Sequence, residues 1–312
     1  MSTSEPPAEP VVLIRRWGEM VKFSHSVFAL PFALMATFLA ARARHAAGEA
    51  EHAYPTLGQL LLIVVSMVAA RSVAMTFNRV VDARLDARNP RTAGRALPAG
   101  TIHHRQANLF LGFWSAVFVI ACGGFWVMER NSVPILLSLP VLAYLCFYSL
   151  TKRFTRWSHF VLGSAIALSP GAAWLAIHPA SVGGPAIVLM GAVTLWIAGF
   201  DIIYACQDIE ADRAAGLFSL PARLGPGPAL WIARAAHAGT VGLLVALMMI
   251  APLGWLYGIG VAVVAVLLVV ENRLVRADDF SRVNLAFFTV NGIISIVLGG
   301  LTITDVLLDL GR

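Results

Sequence analysis

A chain of 312 residues is long enough for two soluble domains, but 58% hydrophobic residues, 13% charged residues and a mean hydropathy of +0.77 exclude water as its main solvent. The net charge of +6 and pI near 9.7 would suit nucleic acid, yet the basic residues are confined to short loops between apolar spans. The excess therefore reads as membrane topology, with the lipid bilayer as partner and no nucleic acid.

Residues 1–14 are Pro-rich and acidic, lack the basic region and short apolar core of a cleaved signal, and read as a disordered tail. Residues 15–312 read as one transmembrane domain. Nine apolar segments are long enough to cross a bilayer as helices, at 22–41, 58–78, 105–128, 132–150, 158–177, 184–204, 228–250, 253–271 and 283–303. The expected fold is all-α: nine transmembrane helices in a bundle around a central cavity capped by loops. Alternate loops carry most of the arginines and lysines, which by the positive-inside rule places those loops, and the N-terminus, in the cytoplasm of a cell (inner) membrane protein. Cys122, Cys146 and Cys206 sit in or beside apolar segments without paired spacing and read as small core residues.

In chain order, the first span opens with Lys22 and His25 at its cytoplasmic end, and Pro31 is expected to loosen its helix within the membrane. Lys22 either snorkels to the interface or meets phosphate. Arg71 lies inside the second span, where a cation is costly unless it is paired or faces a wet cavity; a cavity holding an anion fits it best. Seven residues later begins the polar stretch 78–100, NRVVDARLDARNPRTAGRALPAG. Asn78, Asp82 and Asp86 repeat every fourth residue, so a continuous helix projects them from one face. Arg88, Arg91 and Arg95 follow, with guanidinium forks suited to phosphate.

The fourth span ends in Tyr148, Lys152, Arg153 and Arg156, which serve either as membrane-edge anchors or as partners of a leaving diphosphate or an acceptor carboxylate. Gly163, Gly171, Gly191, Pro140 and Pro170 read as helix-packing residues. A second acidic run, FDIIYACQDIEADRAAG, places Asp201, Tyr204, Asp208 and Asp212 at steps of three and four. The following segment 216–228 reads as a loop, mobile around the site. Helix, aspartate cluster, basic loop and helix thus occur twice, near 58–125 and 184–250, as in a duplicated unit.

Oxygen ligands at this spacing suit Mg²⁺, which takes one or two carboxylates, keeps several waters and completes its sphere with substrate phosphate. Two acidic helix ends that converge make a two-metal clamp for a diphosphate. A solvated membrane-edge loop accounts for either cluster alone, but not for the repetition. A secondary transporter is the alternative from another class.

The motifs NxxxDxxxD at Asn78, Asp82 and Asp86, with NPRTAGRALPAG after them, and DxxYxxxDxxxD at Asp201, Tyr204, Asp208 and Asp212 resemble the two aspartate-rich motifs of the UbiA superfamily of intramembrane prenyltransferases. The likeness runs from KFSH at Lys22 to the ninth span and is greatest to the 4-hydroxybenzoate polyprenyltransferase branch. Arg79 stands where the first motif often has an aspartate. The resemblance implies transfer of a polyprenyl group from its diphosphate to an aromatic acceptor, 4-hydroxybenzoate or alternatively a naphthoate of menaquinone synthesis. It implies Mg²⁺ bridging the diphosphate to Asn78, Asp82, Asp86, Asp208 and Asp212, with Lys22, Arg71, Lys152 and Arg153 offsetting charge on the leaving group. Asp201 would organise the acceptor or take its proton, and Tyr148 and Tyr204 would line the pocket near the allylic cation.

Overall fold

The computed structural model of the chain describes residues 17–18, 20–21 and 28–309, so the tail 1–14, Lys22 and His25 lie outside the described residues. Among the described residues the fold is all-α, with no β-sheet. The helices are α1 Leu30–Ala46, α2 Leu57–Asp86, α3 His104–Glu129, α4 Val133–Thr151, α5 Ser158–Ile177 and α6 Gly184–Ala205. Short α7 Ile209–Ala214 and α8 Leu220–Leu224 follow, then α9 Pro226–Ile250, α10 Trp255–Leu274 and α11 Asn291–Leu307. Eight of the described helices are long and apolar enough to span a membrane. The ninth expected span is α1, whose 17 residues sit at the lower limit for crossing.

The helices form two rings that share α1 and α5. In one, α5, α6, α9, α10, α11 and α1 pack in succession around a solid apolar core that includes Trp196, Leu189, Leu244, Tyr257 and Ile294. Close approach is set by small residues: a Cβ on Gly163 of α5 would lie 2.3 Å from the Thr194 carbonyl oxygen of α6, so only glycine lets these two backbones meet. In the other ring, α2, α3, α4 and α5 close with α1 around open space.

The helix that positions the site is α2. Thr56 starts it with a reciprocal cap: its hydroxyl accepts the Gln59 N–H, and the Gln59 side chain accepts the Thr56 N–H. Its 30 residues extend about 45 Å at 1.5 Å per residue, against a hydrocarbon core of about 30 Å. The surplus is the polar end from Asn78 to Asp86.

Three local expectations are corrected. Pro31 lies in the first turn of α1, where its missing N–H is an orphan position anyway, so it starts the helix and does not loosen it. The second acidic motif does not ride one continuous helix: α6 stops at Ala205, and a 3₁₀ turn, Cys206–Asp208, tightens the chain before α7. The segment after it is packed, with Leu217, Ser219 and Leu220 buried and α8 formed within it.

Candidate active site

Asp82 is the centre of the first cluster. Its side chain is only 2% exposed and is held by Lys152 Nζ at 2.8 Å and Arg153 Nη2 at 3.0 Å, both from the end of α4, while Asn78 Nδ2 donates to it at 3.2 Å. Arg79, also buried, donates to Asn78 Oδ1 at 3.2 Å. One turn on, Asp86 accepts from Arg95 at 2.7 Å through Oδ1, and its Oδ2 is buried with no hydrogen-bond partner.

The loop after α2 then reaches across to the second cluster. Asn89 Nδ2 donates to Asp208 Oδ1 at 3.0 Å; Arg91 Nε donates to the same oxygen at 2.9 Å, and Arg91 Nη2 to Asp208 Oδ2. Arg91 Nη1 donates to the Tyr204 hydroxyl at 2.9 Å. Asn89 stiffens this reach by accepting the Arg91 N–H on its own side chain, an Asx turn. Partial burial of Arg91 opposes its charge, but Asp208 and Tyr204 outweigh that and raise its pKa above the ordinary value. The two acidic ends, 119 residues apart at Asn89 and Asp208, are thus one site on one end of the bundle.

Asn78, Asp82, Asp86, Asp208 and Asp212 all line a single polar cavity of about 160 Å³, together with Arg79, Arg91, Arg95 and Lys152. It adjoins a larger cavity of about 570 Å³, whose walls share Asn78, Arg79, Arg95, Lys152, Asp208 and Asp212. The larger cavity passes Arg71, Tyr148, Asp201 and Tyr204 and continues between apolar side chains to Phe125, Pro134 and Val182, at the opposite ends of the helices. Phe287 packs at a tilt against the Tyr204 ring with centroids 4.3 Å apart, placed there by the π-helical turn Leu285–Val290 that precedes α11. Asp201 lines the cavity and accepts from His159 at 2.7 Å.

Every sequence-derived site residue in the described part, Arg88, Arg153 and Arg156 apart, lines one of these two spaces. Arg153 instead bonds Asp82 and the Val81 carbonyl oxygen, which makes it a partner of the carboxylate and not a wall of the cavity. Three residues were missed as individual contributors: Arg79, Asn89 and His159. Asn89 had a signal in the basic stretch after Asp86, whereas nothing in the string marks His159.

The donor set fits a hard divalent cation. It is all oxygen, concentrated in one small space, and it includes the partnerless Asp86 Oδ2. Among the described residues no three acidic, histidine or cysteine side chains stand close enough to hold an ion by themselves. That suits Mg²⁺, which uses few protein carboxylates and takes the rest of its sphere from water and phosphate. The lining sets four aspartates against three arginines and a lysine, so its own formal charges nearly cancel.

The profile of the UbiA prenyltransferase family matches residues 29–293, which contain both acidic motifs and α1 to the start of α11. The chain belongs to the UbiA prenyltransferase family. It is 28% identical over 251 residues to a 4-hydroxybenzoate octaprenyltransferase of Chromohalobacter salexigens, covering 80% of this chain and 82% of that one. The fold is similar to the apo structure of a UbiA homologue from Aeropyrum pernix, with a TM-score of 0.77, 30% identity, and 90% and 98% of the two chains covered. It is also similar to a UbiA homologue from Archaeoglobus fulgidus bound to GPP and Mg²⁺, with a TM-score of 0.71, 20% identity, and 93% and 99% covered. The chain is accordingly a membrane-embedded prenyltransferase, and the transporter alternative is set aside.

Proposed function

We propose that this protein transfers a polyprenyl group from polyprenyl diphosphate to a ring carbon of an aromatic acceptor, 4-hydroxybenzoate, in respiratory quinone biosynthesis, and that it requires Mg²⁺. The observation that carries this reading is the bridge from Asn89 and Arg91 to Asp208, which joins both acidic motifs around one polar pocket at the mouth of a long apolar cavity. The name of the Chromohalobacter relative supports the acceptor, and the GPP and Mg²⁺ of the Archaeoglobus homologue support the donor and the metal.

In this reading the diphosphate sits in the polar pocket and the prenyl tail lies along the apolar cavity. Asn78, Asp82, Asp86, Asp208 and Asp212 would hold Mg²⁺, which when bound neutralises the diphosphate and stabilises it as a leaving group. Arg79, Arg95 and Lys152 face that group and stabilise the charge that builds on it as the bond from C1 to oxygen breaks, the electron pair leaving with the diphosphate. Lys22 joins them by resemblance alone. The allylic cation left behind is shielded from water by Tyr148, Tyr204 and Phe287. Arg71, deep in the cavity wall, binds the carboxylate of the acceptor, whose ring carbon attacks C1. The ring proton passes to Asp201. Basic loops at the acidic end support a site on the cytoplasmic face of the cell (inner) membrane.

Purified protein in lipid nanodiscs, given Mg²⁺, a polyprenyl diphosphate and 4-hydroxybenzoate, is expected to yield a ring-prenylated product and diphosphate by mass spectrometry. Prenylation of 1,4-dihydroxy-2-naphthoate with none of 4-hydroxybenzoate would overturn the acceptor assignment. No product with either would overturn the reaction.

A further inference from the structure

The proposed reaction needs a base near the acceptor ring, and among the described residues the one carboxylate of the large cavity that stands apart from the diphosphate pocket is Asp201. Its side chain is 24% exposed, and one oxygen is already committed to a residue that neither motif contains. That residue is His159, in the first turn of α5, with 4% of its side chain exposed.

Both ring nitrogens of His159 are engaged, and the pair of contacts fixes the proton. The Leu220 backbone N–H points at Nε2 across 3.2 Å, and a backbone N–H can only donate, so Nε2 accepts. The proton of the neutral ring is then on Nδ1, which donates to Asp201 Oδ2 at 2.7 Å. Leu220 is fully buried and opens α8, whose preceding Ser219 makes no side-chain cap. Its N–H is therefore one of the orphan donors of a helix start, and His159 supplies the acceptor that burial demands. The same segment is fastened next door by the Phe218 N–H donating to the Lys152 carbonyl oxygen at 2.8 Å. The backbone after the second acidic motif is thereby tied both to the helix end that carries Lys152 and to the ring that holds Asp201.

We propose that His159 is a positioning residue for Asp201: held as the Nδ1–H tautomer by the Leu220 amide, it clamps Oδ2 and leaves Oδ1 to the acceptor in the cavity. This rests on the reading of Asp201 as the group that takes the ring proton. The balance is simple. The acceptor ring forms its bond to prenyl C1, the diphosphate departs with the electron pair, and the ring C–H proton moves to Asp201 Oδ1. The proton stops there, because Nδ1 already carries one and Nε2 is occupied by Leu220. His159 orients the base and does not relay.

Two conservative variants separate the two nitrogens. In His159→Asn the amide nitrogen takes the place of Nδ1 and keeps a donor on Asp201; His159→Gln reaches the Nε2 position and leaves Asp201 unclamped. With saturating Mg²⁺ and prenyl diphosphate, His159→Asn is expected to keep most of kcat. His159→Gln is expected to lose about 10- to 100-fold in kcat, part of the roughly 10²- to 10⁴-fold that general-base catalysis supplies. The KM for prenyl diphosphate should stay within about twofold in both, since neither nitrogen touches the polar pocket. Wild-type kcat in His159→Gln, or equal losses in the two variants, would overturn the proposal and leave His159 a scaffold residue. Asp201→Asn is the control for the underlying reading. Full turnover there removes Asp201 as base, whereas an inactive Asp201→Asn beside a normal His159→Gln removes only the role of His159.

Discussion

Replacing Asp82 with asparagine keeps the shape of the side chain and removes the charge that Lys152, Arg153 and Asn78 converge on. Deleting one partner of a fully buried ion pair costs about 3–5 kcal/mol. Here Lys152 and Arg153 keep 33% and 40% of their side-chain exposure and can turn to water, so the stability loss should be only about 1–2 kcal/mol. Catalysis should suffer more. The polar pocket falls from four aspartates to three against four basic groups, and one proposed metal ligand loses its charge. Removal of one oriented group at a site of developing charge typically lowers kcat by about 10²- to 10³-fold, or roughly 3–4 kcal/mol of barrier. Prenylation rates should be followed by mass spectrometry across a Mg²⁺ titration, with thermal unfolding in the same nanodiscs as the control. The expected result is a folded protein with at least about 100-fold less turnover. Turnover within about threefold of the parent would refute the reasoning.

Chelation should stop turnover and Mg²⁺ should restore it, while helicity by circular dichroism stays unchanged, because Asp82, Asp86 and Asp208 each have a basic partner within the chain itself; unfolding on chelation would count against this. Arg79→Ala should raise the KM for prenyl diphosphate about tenfold, the loss of one charge-assisted contact in a buried pocket, and an unchanged KM would argue that Arg79 only holds Asn78. Arg91→Ala should loosen the loop 87–103, leaving it tied to Asp208 by Asn89 alone and free of Tyr204, read as faster tryptic cleavage after Arg88 and Arg95; an unchanged digestion pattern would show that Arg91 is not what holds the loop. Gly163→Ala pushes a methyl group onto the Thr194 carbonyl oxygen and should cost about 1–3 kcal/mol of stability, visible as an earlier thermal transition, and an unchanged transition would mean that α5 and α6 separate at little cost.

Much of this was legible in the string because the two signals that matter are strong in a membrane protein. Apolar length marks the spans, and a polar residue within or at the end of one is expensive enough to need a reason. Arg71, Asp82 and Asp208 stood out on those grounds, and the structure brings them to connected cavities. What was not legible is partner choice. Asp82 pairs with Lys152 and Arg153 from α4, and Asp208 with Asn89 and Arg91 from the loop after α2, contacts set by packing between helices far apart in sequence. His159 carries no pattern at all, since its significance depends on two contacts that only the fold supplies, one with Asp201 and one with a backbone amide at Leu220. The 3₁₀ turn Cys206–Asp208 was invisible for a related reason: steps of three and four fit an α-helix and its tighter variant alike.

The central claim is that two acidic ends grip one metal-bound diphosphate together. Binding of a prenyl diphosphate with Mg²⁺, measured by calorimetry in wild type, Asp82→Asn, Asp208→Asn and the double variant, tests this without turnover. The account predicts that each single change removes most of the affinity and that the double variant is no weaker than the worse single. Losses that simply add, with each single variant retaining its own half of the binding, would contradict it.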